Sequence, residues 1–569
     1  MNKYQWIEPE APDRERVNAL AASLEIPEAG ARFLLSRDIG DEDAIRSYLD
    51  PTVAESHDPF LFEHMETAVA LVETAARDRK KVMIHGDYDV DGISGTAMLY
   101  QYLDGVVPEV LRFVPDRRKD GYGIAERAVA WALDNGVGLM IAVDCGTSDA
   151  DLIGRLEDAG VDVVVCDHHQ LPADGRTRGV LLNPSRPGET YPFRSLSGTG
   201  VAFKLVEALY ASGVRGSVRP EDLLDLNALA TVGDVCPLVG ENRWVVRAGL
   251  SMMNQSPRPG VEAMRGLARL SNRTISSTHI AFALAPRLNA PGRVSRPKPA
   301  LEILCTRDRG EAARLASVLE GDNERRRELT RAVEDDVSRR VRAMDNLDSR
   351  GGLVLAGEDW DEGVLGIAAA RAVEEFARPT ILMSLKGDVA KGSGRSVPGV
   401  NLKEQLDHFQ ENFVRYGGHA QACGLTMPAE KVAAFADGFA ERLREFVSPA
   451  TGLPLRIDAG IEMEDCTLEL LSLISRCEPF GFGNKTPVWK ISDVQISTDT
   501  CIVGDGHMKL FFQDMRGNPG EAIAFGWDRP ETPDDLHNRV VDLAVTIKRG
   551  EYMNRVYPEL RLVDIRHHR

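Results

Sequence analysis

Short apolar, β-branched runs that end abruptly in acid and imidazole constrain this chain more than any other feature. Lys81-Val82-Met83-Ile84, Leu139-Met140-Ile141-Ala142-Val143 and Val161-Asp162-Val163-Val164-Val165-Cys166 have the composition of strands buried on both faces of a parallel sheet. Helix-compatible stretches from Ala125 to Asn135 and from Asp149 to Ala159 alternate with them, a βαβ pattern. Directly after the three runs stand His85-Gly86-Asp87-Tyr88-Asp89-Val90-Asp91-Gly92, then Asp144, then Asp167-His168-His169. Ligands of open α/β sheets bind beyond the carboxyl ends of the strands, so the three polar clusters are expected to converge in one crevice. Carboxylate oxygens mixed with imidazole nitrogens suit a pair of divalent metals, a device for hydrolysing phosphate esters.

A chain of 569 residues exceeds one hydrophobic core, and three or four units are expected. Residues 1–75 look helical and acidic, and the strand-rich catalytic portion covers 76–305. A connecting helix over 306–348 carries Leu329, Val333, Val337, Val341 and Met344 at steps of four or three, amid Arg325, Arg326, Arg327, Arg331, Arg339, Arg340 and Arg342. Those arginines face either a nucleic-acid groove or plain solvent. A second, smaller α/β unit over 349–452 has strands at Leu353–Ala356 and Thr380–Met383. It contains two glycine clusters, Lys391-Gly392-Ser393-Gly394-Arg395-Ser396 and Tyr416-Gly417-Gly418-His419. Such glycines let backbone N–H groups approach an anion, and Ser393, Arg395 and His419 add donors, so substrate phosphate is expected there. Residues 453–569 are all-β in pattern, with about five short strands and aromatics. They read as an oligonucleotide-binding (OB) barrel, with Lys490, His507, Lys509, Lys548 and Arg549 as its cations, or as a small sandwich whose rings are core. The fold class is therefore α/β with an added all-β domain.

A net charge of −19 runs against the basic footprint usual for phosphate binders, so local arginine placement has to carry that case. No run approaches the roughly 20 apolar residues of a membrane span, and the beginning lacks a signal-peptide core, so a cytoplasmic protein without a membrane partner is expected. The eight cysteines form no Cys-x-x-Cys pair. Cys145, Cys166 and Cys236, close to candidate ligands, suit small buried packing better than thiolate ligation.

With Asp167-His168-His169 after a strand and the Asp-x-Asp-x-Asp-Gly segment upstream, the chain resembles the DHH phosphoesterase superfamily, and more closely its RecJ-type single-strand-specific exonucleases. The likeness extends through Val143-Asp144-Cys145-Gly146, Ala230-Thr231-Val232-Gly233-Asp234-Val235, Ala285 to Arg293, the Ser-Gly-Arg-Ser segment and the Gly-Gly-His segment of the DHH-associated domain. The resemblance implies two Mn²⁺ or Mg²⁺ ions held by His85, Asp89, Asp91, Asp144, His168 and Asp234. The pair Asp87/Asp89 has the same one-residue gap as Asp89/Asp91. The latter is preferred because relatives carry a histidine four residues before the first ligand aspartate, where His85 stands. Asp87 is then an alternative ligand or a supporting group, Asp167 orients a neighbour, and His169 contacts the scissile phosphate.

The resemblance further implies removal of nucleotides from the 5′ end of single-stranded DNA as nucleoside 5′-monophosphates, in recombination and repair, by a monomer working with single-strand-binding protein and a helicase. Arg117, Arg287 and Arg293 are the candidates to grip phosphates and Tyr122 to stack on a base. A phosphodiesterase of short oligoribonucleotides or cyclic dinucleotides is the rival reading. It needs neither the arginine-bearing helix nor the β-domain. A catalytically dead replication scaffold is a third, opposed by a competent residue at every expected ligand position.

Overall fold

The computed structural model describes residues 4–446, 453–504, 506–527, 531–553 and 555–568. The chain divides into two compact units, one of 53–449 with 481–483 and one of 1–52, 450–480 and 484–569. Among the described residues no helix is long and apolar enough to cross a membrane.

The larger unit is built on a five-stranded parallel sheet of β1 (Lys81–Gly86), β2 (Val110–Phe113), β3 (Val137–Val143), β4 (Asp162–Cys166) and β5 (Val180–Leu182), in the order β2-β1-β3-β4-β5. Period-two alternation sorts its side chains between two cores. Val82, Ile84, Leu139, Ile141, Val143, Val164 and Cys166 pack with α1 (Val90–Leu103) and α2 (Gly198–Ala211). Met83, Met140, Ala142, Val163 and Val165 pack on the opposite side with the helices Glu126–Asp134 and Ala150–Asp158. Both faces are covered, which is why the strands lack polar alternation.

The predicted connecting helix is α3, Arg309–Arg342, 34 residues opened by Asp308, whose carboxylate accepts the Glu311 N–H at 2.6 Å. At 1.5 Å per residue it is about 50 Å long. Its first half seats Leu315, Ala316 and Leu319 in the first core, and its second half seats Val333, Val337 and Val341 against a second α/β sheet. One helix thus belongs to two cores.

That second sheet consists of β6 (Leu353–Gly357), β7 (Thr380–Lys386), β8 (Val389–Arg395), β9 (Arg415–Gly418) and β10 (Ala422–Pro428), in the order β9-β10-β8-β7-β6, with only β6 and β7 parallel. Ser393 and Arg395 lie on β8, paired with Gly424 and Ala422. The glycines serve close packing: a Cβ on Gly394 would sit 2.6 Å from the Cys423 sulfur.

In the smaller unit the strands Trp489–Ile496, Val540–Tyr552, Arg555–His567, Pro519–Ala524 and His507–Gln513 follow one another in the sheet, and the last pairs back with the first, closing a five-stranded barrel. This is the oligonucleotide-binding arrangement. The helices Arg14–Leu24, Glu28–Ser36 and Glu42–Leu49 bury Phe33, Leu34 and Leu49 in the same core as Trp489, Leu510 and Phe512. Phe33 and Trp489 lie 5.5 Å apart, ring to ring. The first 52 residues are therefore part of the barrel unit, while Met65–Arg77 packs in the first core of the larger unit. Helical periodicity alone does not say which distant face a helix covers.

Candidate active site

The site begins where β1 turns into α1. Asp89 caps α1, its Oδ1 accepting the Asp91 and Gly92 N–H groups at 3.0 and 3.4 Å. Gly92 is required by close approach, since a Cβ there would lie 2.2 Å from the Asp87 nitrogen. Asp91, one residue into the helix, is fully buried. Its two oxygens accept the N–H groups of Gly198 and Thr199 at 2.7 and 2.8 Å, the amino end of α2. Ser197-Gly198-Thr199-Gly200 before an apolar run is a helix-start signature, so this partner of Asp91 was within reach of the sequence reading but escaped it. Asp144 follows β3 with φ at +60°, a left-handed conformation that costs energy for a non-glycine residue and that clusters at functional sites.

Ligand atoms of Asp87, Asp89 and Asp144 lie within 4.8 Å of one another, as do those of Asp91, His168 and Asp234, and those of Asp144, His168 and His169. His168 Nε2 is 3.3 Å from Asp144, 3.6 Å from Asp234 and 3.9 Å from Asp91. Asp87 Oδ1, Asp144 Oδ1 and His168 Nε2 are buried yet make no hydrogen bond. Burial, then the neighbouring carboxylates, push Asp87, Asp144 and Asp234 well above the ordinary aspartate range. Burial lowers His168, leaving its imidazole neutral. Crowded buried acids with vacant lone pairs beside a neutral imidazole are a donor set for divalent cations. The three aspartates of the first motif divide between two groups that meet at Asp144 and His168, so the choice between Asp87/Asp89 and Asp89/Asp91 dissolves: all three reach the cluster.

His85 does not join them. It shares the Met83 side of the sheet, fully buried, stacked on Phe113 at 5.2 Å, with Nε2 accepting the Ala125 N–H at 3.3 Å and Nδ1 3.5 Å from the Cys145 sulfur. Burial drops its pKa to about 4. The four-residue spacing from Asp89 is present, but strand parity aims the ring away. Asp167 orients its neighbours: Oδ1 accepts the His168 N–H at 2.8 Å and lies 2.7 Å from His169 Nδ1, and Oδ2 accepts the Thr147 N–H. Burial would lower the His169 imidazole, but the hydrogen bond and charge of Asp167 outweigh it and raise the pKa to about 9. His169 is thus cationic at neutral pH. The Tyr122 hydroxyl sits 3.0 Å from His169 Nδ1, half of its side chain open to solvent. Cys145, Cys166 and Cys236 are buried with thiols pushed upward by burial, so they pack as neutral groups.

Cationic residues border the cluster. Arg117 lies exposed 5.4 Å over the Tyr88 ring. Arg293 donates to the Gly363 carbonyl at 3.1 Å, and burial, followed by the charges of Arg117 and Arg326, lowers its pKa to about 10. From the second α/β sheet, Arg395 donates to Ser393 Oγ and the Gly394 carbonyl. Burial depresses Arg395, and Arg117 adds to that effect. The exposed His419 is lowered by burial, then by Arg395 and His169. Gly418, at φ +139°, has no room for a Cβ against the Ala422 carbonyl, and Gly417 stands in open space beside it. Residues from two sheets therefore gather around His169. Arg287 does not: it is buried, ion-paired with Glu320 at 2.5 Å and bonded to the Ala283 carbonyl. Nor is Lys490 of the barrel an open cation, being 3.0 Å from Glu8 and 3.8 Å from Asp542. Lys509 pairs with Glu521.

A parallel sheet whose strand ends deliver aspartate and an Asp-His-His triplet, followed by an associated α/β domain, defines a DHH-type phosphoesterase. Family models agree along the chain: the N-terminal domain of the DHH family over residues 81–231, the DHHA1 domain over 350–445 and the RecJ OB domain over 457–564. The single-stranded-DNA-specific exonuclease RecJ of Bacillus subtilis is 30% identical over 572 residues, covering 99% of this chain and 71% of that protein. The Escherichia coli protein of the same name is 31% identical over 511 residues, 86% of this chain and 88% of its own. The crystal structure of RecJ in complex with Mn²⁺ from Thermus thermophilus superposes with a TM-score of 0.84 at 26% identity, over all of this chain and 80% of that one. The chain belongs to the RecJ family of single-stranded-DNA-specific exonucleases.

Proposed function

We propose that this metal-dependent exonuclease of single-stranded DNA works from the 5′ end and releases nucleoside 5′-monophosphates, in the cytosol, as a monomer, during recombination and repair. The observation that carries the reading is the conjunction, in one compact unit, of a buried carboxylate–imidazole cluster with arginines and a histidine from a second sheet. A cage for cations beside a cradle for phosphate fits a phosphodiester better than a small neutral ester.

Two divalent ions, Mn²⁺ or Mg²⁺, fit the donor set. Asp87, Asp89 and Asp144 would hold one, and Asp91, His168 and Asp234 the other. Such a pair lowers the pKa of a water and stabilises charge on the attacking and leaving oxygens. The residues of the chain do the positioning. His169, cationic and fixed by Asp167, meets a non-bridging oxygen of the scissile phosphate. Arg117, Arg293, Ser393 and Arg395, with Gly417, Gly418 and His419, hold the phosphate of the terminal nucleotide, Arg395 by a bidentate fork. Tyr122 offers its open ring to a base. A site bounded on one side by such a pocket accepts a chain end, which accounts for exonuclease action. The barrel unit, of the oligonucleotide-binding type, would add affinity for single strands, and a single-strand-binding protein and a helicase would deliver the strand, as the family resemblance implies.

The test is digestion of single-stranded and duplex DNA labelled at either end, with and without Mn²⁺. Mononucleotides released first from the 5′ label of the single strand support the reading. Release from the 3′ end, or equal attack on duplex, overturns it.

A further inference from the structure

Both sheets of the larger unit contribute to the site, and one small contact joins their contributions. The turn that follows β2 is closed by the Lys119 and Asp120 N–H groups, which donate to the Asp116 carbonyl at 2.9 and 2.8 Å. From this turn Arg118 Nη2 donates to the Arg293 carbonyl at 2.9 Å and to the two Asp361 oxygens at 3.1 and 3.3 Å. Arg293 stands in the last turn of its helix, and four positions on is Pro297, which has no N–H to offer its carbonyl. Arg118 supplies that donor from outside the helix.

Asp361 lies between β6 and the helix Leu365–Phe376. Its Oδ1 accepts the Gly363 N–H at 2.9 Å, and the Gly363 carbonyl accepts from Arg293 Nη1 at 3.1 Å. Gly363 passes so near Arg293 that a Cβ would sit 2.4 Å from the Arg293 carbonyl oxygen, an approach open to glycine alone. Three residues on, at the start of the helix, a Cβ on Gly366 would lie 2.9 Å from Arg395 Nη2 and 3.1 Å from Ser393 Oγ. The stretch 361–366 thus touches Arg118 and Arg293 at one end and Ser393 and Arg395 at the other.

An exposed ion pair alone contributes little, and Arg118 is 52% exposed. Here, however, Arg118, Asp361, Gly363 and Arg293 form a closed ring of hydrogen bonds, each joined to two of the others. Arg293 spends one guanidinium N–H on the ring and keeps the rest for phosphate.

We propose that Asp361 and Gly363 are positioning residues: through this ring they hold the Ser393–Arg395 phosphate seat at a set distance from the carboxylate–imidazole cluster, so that the bond presented for cutting is the one next to the terminal nucleotide. The inference rests on the reading of the site as a 5′ exonuclease and assigns to the ring the length of the product. With the ring broken, the seat still takes the terminal phosphate but shifts against the cluster. A misplacement of about 1 Å is enough to cost a reaction on the order of 100-fold.

The test uses the full-length protein with Mn²⁺ and a 5′-phosphorylated 20-nucleotide oligothymidylate, following kcat, KM and the length of the released product. Asp361→Ala and Asp361→Asn should each lower kcat about ten-fold with KM within about two-fold, and dinucleotide should rise to roughly a tenth of the product. Gly363→Ala should do at least as much, because the carbonyl it meets belongs to the main chain. Asp361→Glu, which keeps the acceptor, should retain most of kcat. Arg118→Ala combined with Asp361→Ala should be no slower than the slower single variant, since both break the same ring. Mn²⁺ affinity by calorimetry should stay the same throughout. Arg371→Ala, on the helix Leu365–Phe376 and paired with Glu374 at 2.8 Å, should alter nothing.

Product of one nucleotide only, in both Asp361→Ala and Asp361→Asn, overturns the proposal whatever the rate, since a merely structural residue would lower the melting temperature without changing the cut. So does a ten-fold rise in KM at unchanged kcat, which would make Asp361 part of substrate binding. If the unaltered protein releases no mononucleotide from the 5′ end, the exonuclease reading itself falls, a result these variants cannot produce.

Discussion

Asn289 reaches across from the helix Ala285–Val294 and accepts, on its side-chain Oδ1, the backbone N–H of Val90 at 2.7 Å. Val90 separates Asp89 from Asp91, so this bond fixes the peptide between two members of the carboxylate cluster. One turn further along, Gly292 lies so near the Tyr88 carbonyl that a Cβ would be 2.9 Å from that oxygen. The carboxylate segment is therefore held in place by a helix some two hundred residues away in sequence.

Asn289→Ala should leave the Val90 N–H unpaired, at a cost of about 1–3 kcal/mol, and weaken Mn²⁺ binding by roughly 10- to 100-fold, the range for groups that support metal ligands. Titration calorimetry with Mn²⁺ checks it. Affinity within two-fold of the natural protein would show that the bond does not organise the segment.

Asp89→Ala, Asp144→Ala and His168→Ala should each abolish hydrolysis with circular dichroism unaltered. Asp144→Asn should also stabilise the metal-free protein by about 1 kcal/mol, because it removes one charge from a buried group of like charges. Urea unfolding in EDTA measures that gain, and a loss in its place would argue against mutual repulsion.

The raised carboxyls set a pH dependence. With folded-state values above the ordinary 3.8, Asp87, Asp144 and Asp234 bind protons more tightly folded than unfolded. Stability of the metal-free protein should therefore fall as pH rises through the raised values. Comparing urea midpoints at pH 5.5 and pH 8 in EDTA should give the lower midpoint at pH 8, and saturating Mn²⁺ should abolish or invert the difference. An EDTA midpoint that rises with pH would contradict the crowding of these acids.

His85 lies outside the ligand groups, so His85→Gln should lower stability by roughly 1–3 kcal/mol through loss of the Ala125 and Phe113 contacts while preserving two Mn²⁺ per chain. Measured stoichiometry of one ion would restore His85 as a ligand.

Arg287 and Arg395 separate structure from binding. Arg287→Ala strands Glu320 and should cost about 3 kcal/mol of stability. Arg395→Ala should raise KM for a 5′-phosphorylated strand about ten-fold, an interaction of roughly 1.4 kcal/mol. Equal thermal shifts in the two variants would cancel the distinction.

Much of this was legible in the chain itself. Short unbroken apolar runs ending in acid and imidazole specify a parallel sheet with polar strand ends, and parallel-sheet physics then dictates which end carries the site. The four-residue repeat of Val333, Val337 and Val341 likewise specifies a helix with one buried stripe. Side-chain direction near the end of a strand, by contrast, depends on parity against neighbours that are remote in sequence. His85 was drawn into the cluster by spacing and excluded from it by parity. Charge compensation is equally non-local: Arg287 and Arg326 look alike in sequence, yet Glu320 neutralises one and, among the described residues, no acid stands within salt-bridge distance of the other. The sequence by itself determined which elements form and which residue types stand at their ends, because those follow from short-range pattern. Only the tertiary structure decided which ends meet, which charges are paired and which buried donors are left vacant, because packing brings together groups that the chain keeps far apart.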